Sequence, residues 1–287
     1  DFGVTGGPAA DGGVVAFYGG YGQDQYGFTY AGIFTSEGGT VNKVVDTTTL
    51  IPGINVPFFS FSSDICVSGS RIYFGGGTLN TYGGIFKAEN GVVSRIFDNT
   101  MTLPGTTNPA VATHDWAADG DTVAFGTDYG IYAVISNVIV AVATTNTPVP
   151  GGGGTFTYFG APSIDGDKIV FNAGGKNVGG IYLSQTGQLS ILVNNSTPIP
   201  GSPGVPFQNE RDLILRNNGL AFNGNEGTSF TYEGIYRLYD GVLTAVANSS
   251  IPMPDQPGNF VNATSPAFDG GNVAFLGSRP DFSPGLY

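Results

Sequence analysis

A fold made wholly of β-strands is what this sequence predicts, and three observations carry it. The 287 residues include 47 Gly and 18 Pro, about twice the ordinary share, and helix interiors tolerate neither. Aromatic residues outnumber charged ones, with 21 Phe and 14 Tyr; aromatics favour strands and supply a core. The third observation is an internal repeat. A tripeptide Gly-[Ile/Leu]-[Phe/Tyr] occurs at Gly32-Ile33-Phe34, Gly84-Ile85-Phe86, Gly130-Ile131-Tyr132, Gly180-Ile181-Tyr182, Gly234-Ile235-Tyr236 and Gly285-Leu286-Tyr287. Its glycines stand 46 to 54 residues apart. Solenoid coils are shorter and a sandwich would not repeat six times. About 50 residues is the size of a propeller blade, and one small sheet cannot bury both faces alone. The sequence therefore predicts an all-β, six-bladed β-propeller.

Each repeat reads as four short strands. The first leads into a turn such as Asp165-Gly166, a strong hairpin signal because positive φ is cheap there. The second ends in Phe17, Phe74, Phe125, Phe171, Phe222 or Phe275. The third carries the tripeptide. The fourth is a short alternating segment, as in Leu189-Ser190-Ile191-Leu192-Val193. A Pro-Gly corner follows at Pro52-Gly53, Pro104-Gly105, Pro150-Gly151 and Pro200-Gly201; the fifth copy has Asp255 after Pro254. The expected organisation is one domain over residues 1–287, with repeats at 1–53, 54–105, 106–151, 152–201, 202–258 and 259–287. The sixth repeat reaches only Gly285-Leu286-Tyr287, so its sheet is expected to lack the outer strand, and Asp1 to Gly6 is a poor replacement.

Charge and composition exclude several classes. The net charge is −12 with only ten basic residues, which leaves no footprint for nucleic acid or an anionic membrane. The longest apolar run, Tyr132 to Ala143, is interrupted by Ser136-Asn137 and too short to cross a bilayer. It reads as two strands and a turn, so no membrane span is expected. The single cysteine, Cys66, allows no intramolecular disulfide and reads as a small buried filler. One His and one Cys make no zinc site. The Gly runs Gly75–Gly77 and Gly151–Gly154 do not open a helix that could cradle phosphate. A chain opening at Asp1 without Met reads as a mature or trimmed form. Four Lys and a Thr-, Ser- and Asn-rich polar content lean toward export. Candidate glycosylation sequons fall at Asn194, Asn195, Asn248 and Asn262.

Aligning the repeats on their Phe places Gly7, Asp64, Asp115, Ala161, Asp212 and Ser265 in one column of the innermost strand. Asp64, Asp115 and Asp212 together are a candidate site for Ca²⁺, which takes oxygen ligands from carboxylates, carbonyls and water. The alternative is that these carboxylates accept backbone hydrogen bonds. The preceding column brings His114 and Arg211 beside them, with Glu210 one residue further out, so these three are candidate channel-mouth residues. Any Ser-His-Asp or Cys-His mechanism would have to use His114. Trp116 does not recur, unlike the Trp of WD40 repeats, and reads as core or as a sugar-stacking surface. The segments Tyr21–Tyr30 and Asn223–Tyr232 share Phe-Thr-Tyr at 28–30 and 230–232 and mark a candidate contact rim.

Pro198-Ile199-Pro200-Gly201, Pro162-Ser163-Ile164-Asp165-Gly166 and Gly180-Ile181-Tyr182 together resemble the tandem propeller repeats of secreted bacterial proteins of the PEP-CTERM or choice-of-anchor type. This chain shows no anchor or sorting motif. The resemblance implies a secreted, extracellular or cell-surface protein and brings no catalytic residues. The function expected at this point is a non-enzymatic structural or assembly protein, polymerising into a homo-oligomer or filament by strand donation to the open sixth blade. A glycan- or protein-binding propeller is one alternative. A lactonase-like, Ca²⁺-dependent hydrolase is another, with calcium as its only cofactor.

Overall fold

The computed structural model describes residues 4–23, 29–79, 82–106, 115–152, 154–202, 204–227, 232–254, 257–279 and 283–287. No helix occurs among them, and none therefore is long and apolar enough to cross a membrane. The strands form six small sheets in sequence order. Sheet 1 holds β1 (Val4–Asp11), β2 (Val14–Gln23), β3 (Thr29–Glu37) and β4 (Thr40–Asp46). Sheet 2 holds β5 (Ser60–Ser68), β6 (Arg71–Gly77), β7 (Gly83–Glu89) and β8 (Val92–Asp98). Sheet 3 holds β9 (Trp116–Asp119), β10 (Thr122–Thr127), β11 (Gly130–Ile135) and β12 (Val138–Thr144). Sheet 4 holds β13 (Tyr158–Asp165), β14 (Lys168–Gly175), β15 (Val178–Gln185) and β16 (Gln188–Asn194). Sheet 5 holds β17 (Asn209–Arg216), β18 (Gly219–Asn225), β19 (Gly234–Tyr239) and β20 (Val242–Ala247). Sheet 6 has three strands, β21 (Asn262–Phe268), β22 (Val273–Ser278) and β23 (Pro284–Leu286).

Every sheet is an antiparallel meander, and the fold is the six-bladed β-propeller that the repeat predicts. The chain divides into two compact units, with sheets 1 and 2 in the first and sheets 4, 5 and 6 in the second; the residues of sheet 3 are shared between them.

The repeated residues have repeated jobs. The Phe of the second strand stacks on the aromatic of the third in all six sheets, as in Phe74–Phe86, Phe171–Tyr182 and Phe275–Tyr287, with centroids 5.6–6.0 Å apart. A third ring from the segment before the sheet drives edge-on into the third-strand ring. Phe58 meets Phe86, Phe156 meets Tyr182, Phe207 meets Tyr236 and Phe260 meets Tyr287, all at 4.8–5.0 Å and 84–88°. Edge-to-face packing suits the positive edge and negative face of aromatic rings.

The tripeptide glycine has a steric cause. A bulge separates Ile181 from Tyr182 in their pairing with β16, and equivalent bulges occur in sheets 1, 2 and 5. The neighbouring strand then lies so close that a Cβ on Gly180 would fall on the carbonyl oxygen of Val193. Val45, Phe97, Ala143 and Ala247 close on Gly32, Gly84, Gly130 and Gly234 in the same way. The Pro-Gly corners are turns with glycine near φ +83°, closed by bonds such as Ser202 N–H to Ile199 C=O at 2.9 Å. That geometry is type II, with Pro at the second and Gly at the third position.

Each outer strand of sheets 1 to 4 ends on a polar residue that turns its side chain back onto the corner, and in sheet 5 that residue directly follows the strand. In sheet 1, Asp46 is 2% exposed and accepts from the Thr48 N–H and hydroxyl, from Tyr21 Oη at 3.0 Å and from Lys43 Nζ at 2.9 Å. In sheet 2, Asp98 is fully buried and accepts from Thr100, from Tyr82 Oη at 3.0 Å and from Arg95 Nη1 at 2.7 Å. Thr144, Asn194 and Asn248 take the place in sheets 3 to 5. Burial pushes both carboxyls up, but hydrogen bonds from Thr, Tyr and the basic side chain outweigh it, and both end below the ordinary carboxylate range.

Candidate functional site

The Asp column sits on a backbone irregularity. First-strand register breaks between Phe61 and Ile65, between Phe159 and Pro162, and between Arg211 and Ile214. Asp212 lies in the last of these at φ +54°, matching Gly7 at +57° and Ser265 at +54°. Asp tolerates this left-handed conformation better than most residues, so the backbone alone accounts for its choice there. Asp64 is exposed and accepts from Ser62 Oγ at 2.9 Å, which itself accepts from the Asp64 N–H. Asp64 belongs to the first unit, and Asp115 and Asp212 to the second. Among the described residues, no group of three or more His, Cys, Asp and Glu side chains could hold a metal ion.

Arg211 is exposed and pairs with Glu233 and, at 3.9 Å, with Asp212. His114 lies outside the described residues, as do residues 24–28 and 228–231 of the two rim segments. Of the sequon asparagines, Asn248 is fully buried; its Nδ2 donates to Tyr236 Oη and its Oδ1 accepts from Ser250. Asn194 Oδ1 pins Ser196 and Thr197, and Asn195 Nδ2 donates to the Asn177 carbonyl at 2.9 Å. Asn262 is half-buried on β21. Cys66 is half-buried on β5, and Trp116 is half-buried on β9.

The second unit holds a cavity of about 290 Å³. Asp115, Gly126, Thr127 and Asp128 line one side, and Thr157, Tyr158, Phe159 and Gly160 the other. The turn after β10 fixes Asp128, because Thr127 Oγ1 donates to the Gly130 carbonyl and accepts from the Tyr129 N–H. The Asp115 carbonyl accepts from the Gly126 N–H at 3.0 Å. Thr157 bonds the Gly174 carbonyl through both its N–H and its hydroxyl. The Tyr158 side chain lies against Gly174 and Gly179, where a Cβ would strike it, and the residue is 45% exposed. Two exposed aspartates, an aromatic residue and bare glycine backbone line this space, with no cationic side chain among the described lining residues. Such a lining suits a cationic, hydrogen-bond-donating group. The column alignment singles out Asp115; it misses Asp128 and Tyr158, which lie at strand ends and do not recur.

Behind this wall stands Glu210, 6% exposed on β17. Asn172 Nδ2 donates to its Oε2 at 3.3 Å, and its Oε1 has no hydrogen-bond partner. Burial pushes its carboxyl up to about 7, against the lowering effect of its own backbone and of Asn172. Tyr182, buried opposite, is pushed up to about 12 by burial, by Tyr158 and by the Glu210 charge.

Six small sheets define a β-propeller, with a polar cavity in its second unit. Residues 78–286 match the model of a family of unknown function, DUF7453, and the chain belongs to that family. No curated protein matches it. Among solved structures, a prolyl endopeptidase is similar at 12% identity with a TM-score of 0.51, over 96% of this chain and 39% of that one. A puromycin-hydrolyzing peptidase of Mycobacterium tuberculosis is similar at 12% identity and TM-score 0.49, over 98% of this chain and 51% of that one. The β-propeller domain of the Trilobed protease from Pyrococcus furiosus is similar at 9% identity and TM-score 0.48, over 100% of this chain and 92% of that domain. The chain thus spans about half or less of the two whole peptidase chains. These identities establish the fold alone. The expected non-enzymatic structural or assembly role, with its binding and lactonase-like alternatives, is corrected by the similarity of this propeller to that of the prolyl endopeptidase.

Proposed function

We propose that this propeller is the substrate-handling part of a peptide-hydrolysing system and that its cavity holds a cationic group of the peptide. The reaction class is taken from the peptidases whose propellers share the fold. The observation that carries the ligand is the cavity: Asp115, Asp128 and Tyr158 line it, and among the described residues no basic side chain pairs with either carboxylate. A peptide α-ammonium or lysine side chain supplies the charge, the donors and the apolar stem that such a lining accepts. The propeller binds and orients; bond cleavage belongs to a hydrolytic centre that this reading does not place on the described residues.

Titration calorimetry with a lysine-containing tripeptide, and with the same peptide acetylated on both amines, tests the reading. The free peptide binds and the acetylated one does not. Asp115→Asn and Asp128→Asn each weaken binding about five- to tenfold, as expected for one charge-assisted contact. Equal binding of both peptides, or wild-type affinity in both variants, overturns it. Export, implied by the repeat resemblance, is part of the same proposal, and its check is recovery of the protein outside the cells that make it.

A further inference from the structure

The repeat gives Glu210 no structural duty. Asn172 on β14 and Asn223 on β18 hold equivalent places, each directly after the stacking Phe, and each reaches the next sheet. Asn223 Nδ2 donates to the backbone carbonyl of Ala263 at 2.7 Å. Asn172 Nδ2 meets the Glu210 side chain instead, and Glu210 is the repeat equivalent of Ala263. Alanine suffices at that place in sheet 6, so the carboxylate at the junction of sheets 4 and 5 is an addition. Both sheets belong to the second unit.

The junction leaves two polar atoms orphaned. Glu210 Oε1 and Tyr182 Oη are both buried and without a hydrogen-bond partner. Orphaned buried oxygens are uncommon, and each calls for a cause. The titratable groups facing Glu210 are Tyr158 from β13 and Tyr182 from β15. β18 and β21 carry none. Lys168 of β14 sits at the far end of its strand and bonds Asn218. Arg211, next in sequence, is exposed and engaged with Glu233. Among the described residues no cation therefore offsets an ionised Glu210. A buried charge without a partner takes up a proton or admits water.

We propose that Glu210 is a proton-operated latch between sheets 4 and 5. Protonated, Oε1 becomes a donor and the junction closes dry. Ionised, the carboxylate draws water between the sheets and loosens β14, β15 and β17. The only reactant is the solvent proton, and the latch stands independently of the peptide reading.

Hydrogen–deuterium exchange of the whole protein at pH 5.5, 7.0 and 8.5, scaled for the intrinsic exchange rate, tests it. Protection of peptides from β14, β15 and β17 falls about tenfold between the extremes in the wild type. Glu210→Gln, a neutral isostere, keeps them protected at every pH. Glu210→Ala, the residue that sheet 6 carries at this place, removes the pH response as well. A response that persists in both variants, or one spread evenly over all six sheets, overturns the latch. So does wild-type protection that is flat with pH and changes only when K⁺ replaces a bulky organic cation, which would make the site a metal-ion site.

Discussion

The glycine that opens each tripeptide is explained by one missing atom. At Gly180 a Cβ would overlap the Val193 carbonyl, which belongs to backbone held by its own ladder and cannot rotate away. Gly180→Ala is therefore expected to cost about 2–4 kcal/mol, as overpacking against backbone does. Urea unfolding followed by tyrosine fluorescence measures it. Gly83, which has open space around it and no positive φ, controls for the generic effect of losing a glycine. The left-handed bulge makes the reverse demand at Asp212. Asp212→Gly and Asp212→Asn are expected to leave stability within about 0.5 kcal/mol of wild type, and Asp212→Val to cost about 1–2 kcal/mol, because β-branched residues resist positive φ. A large loss in Asp212→Asn would show that the charge, and not the backbone, selects this residue.

The corner is the element at which charge is matched by position. Lys43 precedes Asp46 and Arg95 precedes Asp98 by three residues, whereas Ile191 precedes Asn194 and Ala245 precedes Asn248 at the same spacing. The cation is present where the corner residue is a carboxylate and absent where it is an amide. Asp98→Asn alone turns an amide NH₂ toward Arg95, donor against donor, and is expected to cost about 1–3 kcal/mol. Asp98→Asn combined with Arg95→Ile recreates the corner of sheet 4. It is expected to recover most of that loss, because Tyr82 can then accept from the amide as Tyr236 accepts from Asn248. A thermodynamic double-mutant cycle measures the coupling; additive losses would sink the matching argument. This element was hard to find in sequence because the corner residue changes type from Asp to Thr to Asn. Its signal is the residue three places earlier, which is basic before a carboxylate and apolar before an amide, and so does not stand out in a search for repeated hydrophobics.

Across the whole molecule, what was legible is what recurs: stacked rings, the tripeptide glycine and the Pro-Gly corner, each demanded by the same local geometry in sheet after sheet. The candidate site departs from the repeat and was correspondingly obscure. Asp115 was visible because it shares a column with Asp64 and Asp212; Asp128 and Tyr158 join it only through folding. Glu210 was visible only as a neighbour of Arg211, and its burial could not be read from sequence. Three shifted carboxylates, Asp46, Asp98 and Glu210, give the stability of the protein a particular dependence on pH. Asp46 and Asp98 are held below their ordinary values, so below about pH 4 the unfolded chain binds more protons and stability falls as the pH falls. Glu210 runs the other way. With its carboxyl pushed up to about 7, the folded protein holds a proton that the unfolded chain releases near 4.5, and stability falls as the pH rises from there to about 7. Burial raises the buried Tyr73, Tyr182 and Tyr236 and the half-buried Tyr82 to about 12, which adds a further loss above about pH 10. The midpoint temperature, followed by circular dichroism from pH 2 to 11, is therefore expected to peak near pH 4–5, step down toward neutrality and drop again in alkali. Glu210→Gln removes the middle step and leaves the acid limb intact, whereas Asp46→Asn with Asp98→Asn shallows the acid limb and leaves the middle step. A profile that rises from pH 5 to 7 would contradict the assigned burial of Glu210 directly, because among the described residues no other shifted group titrates in that window.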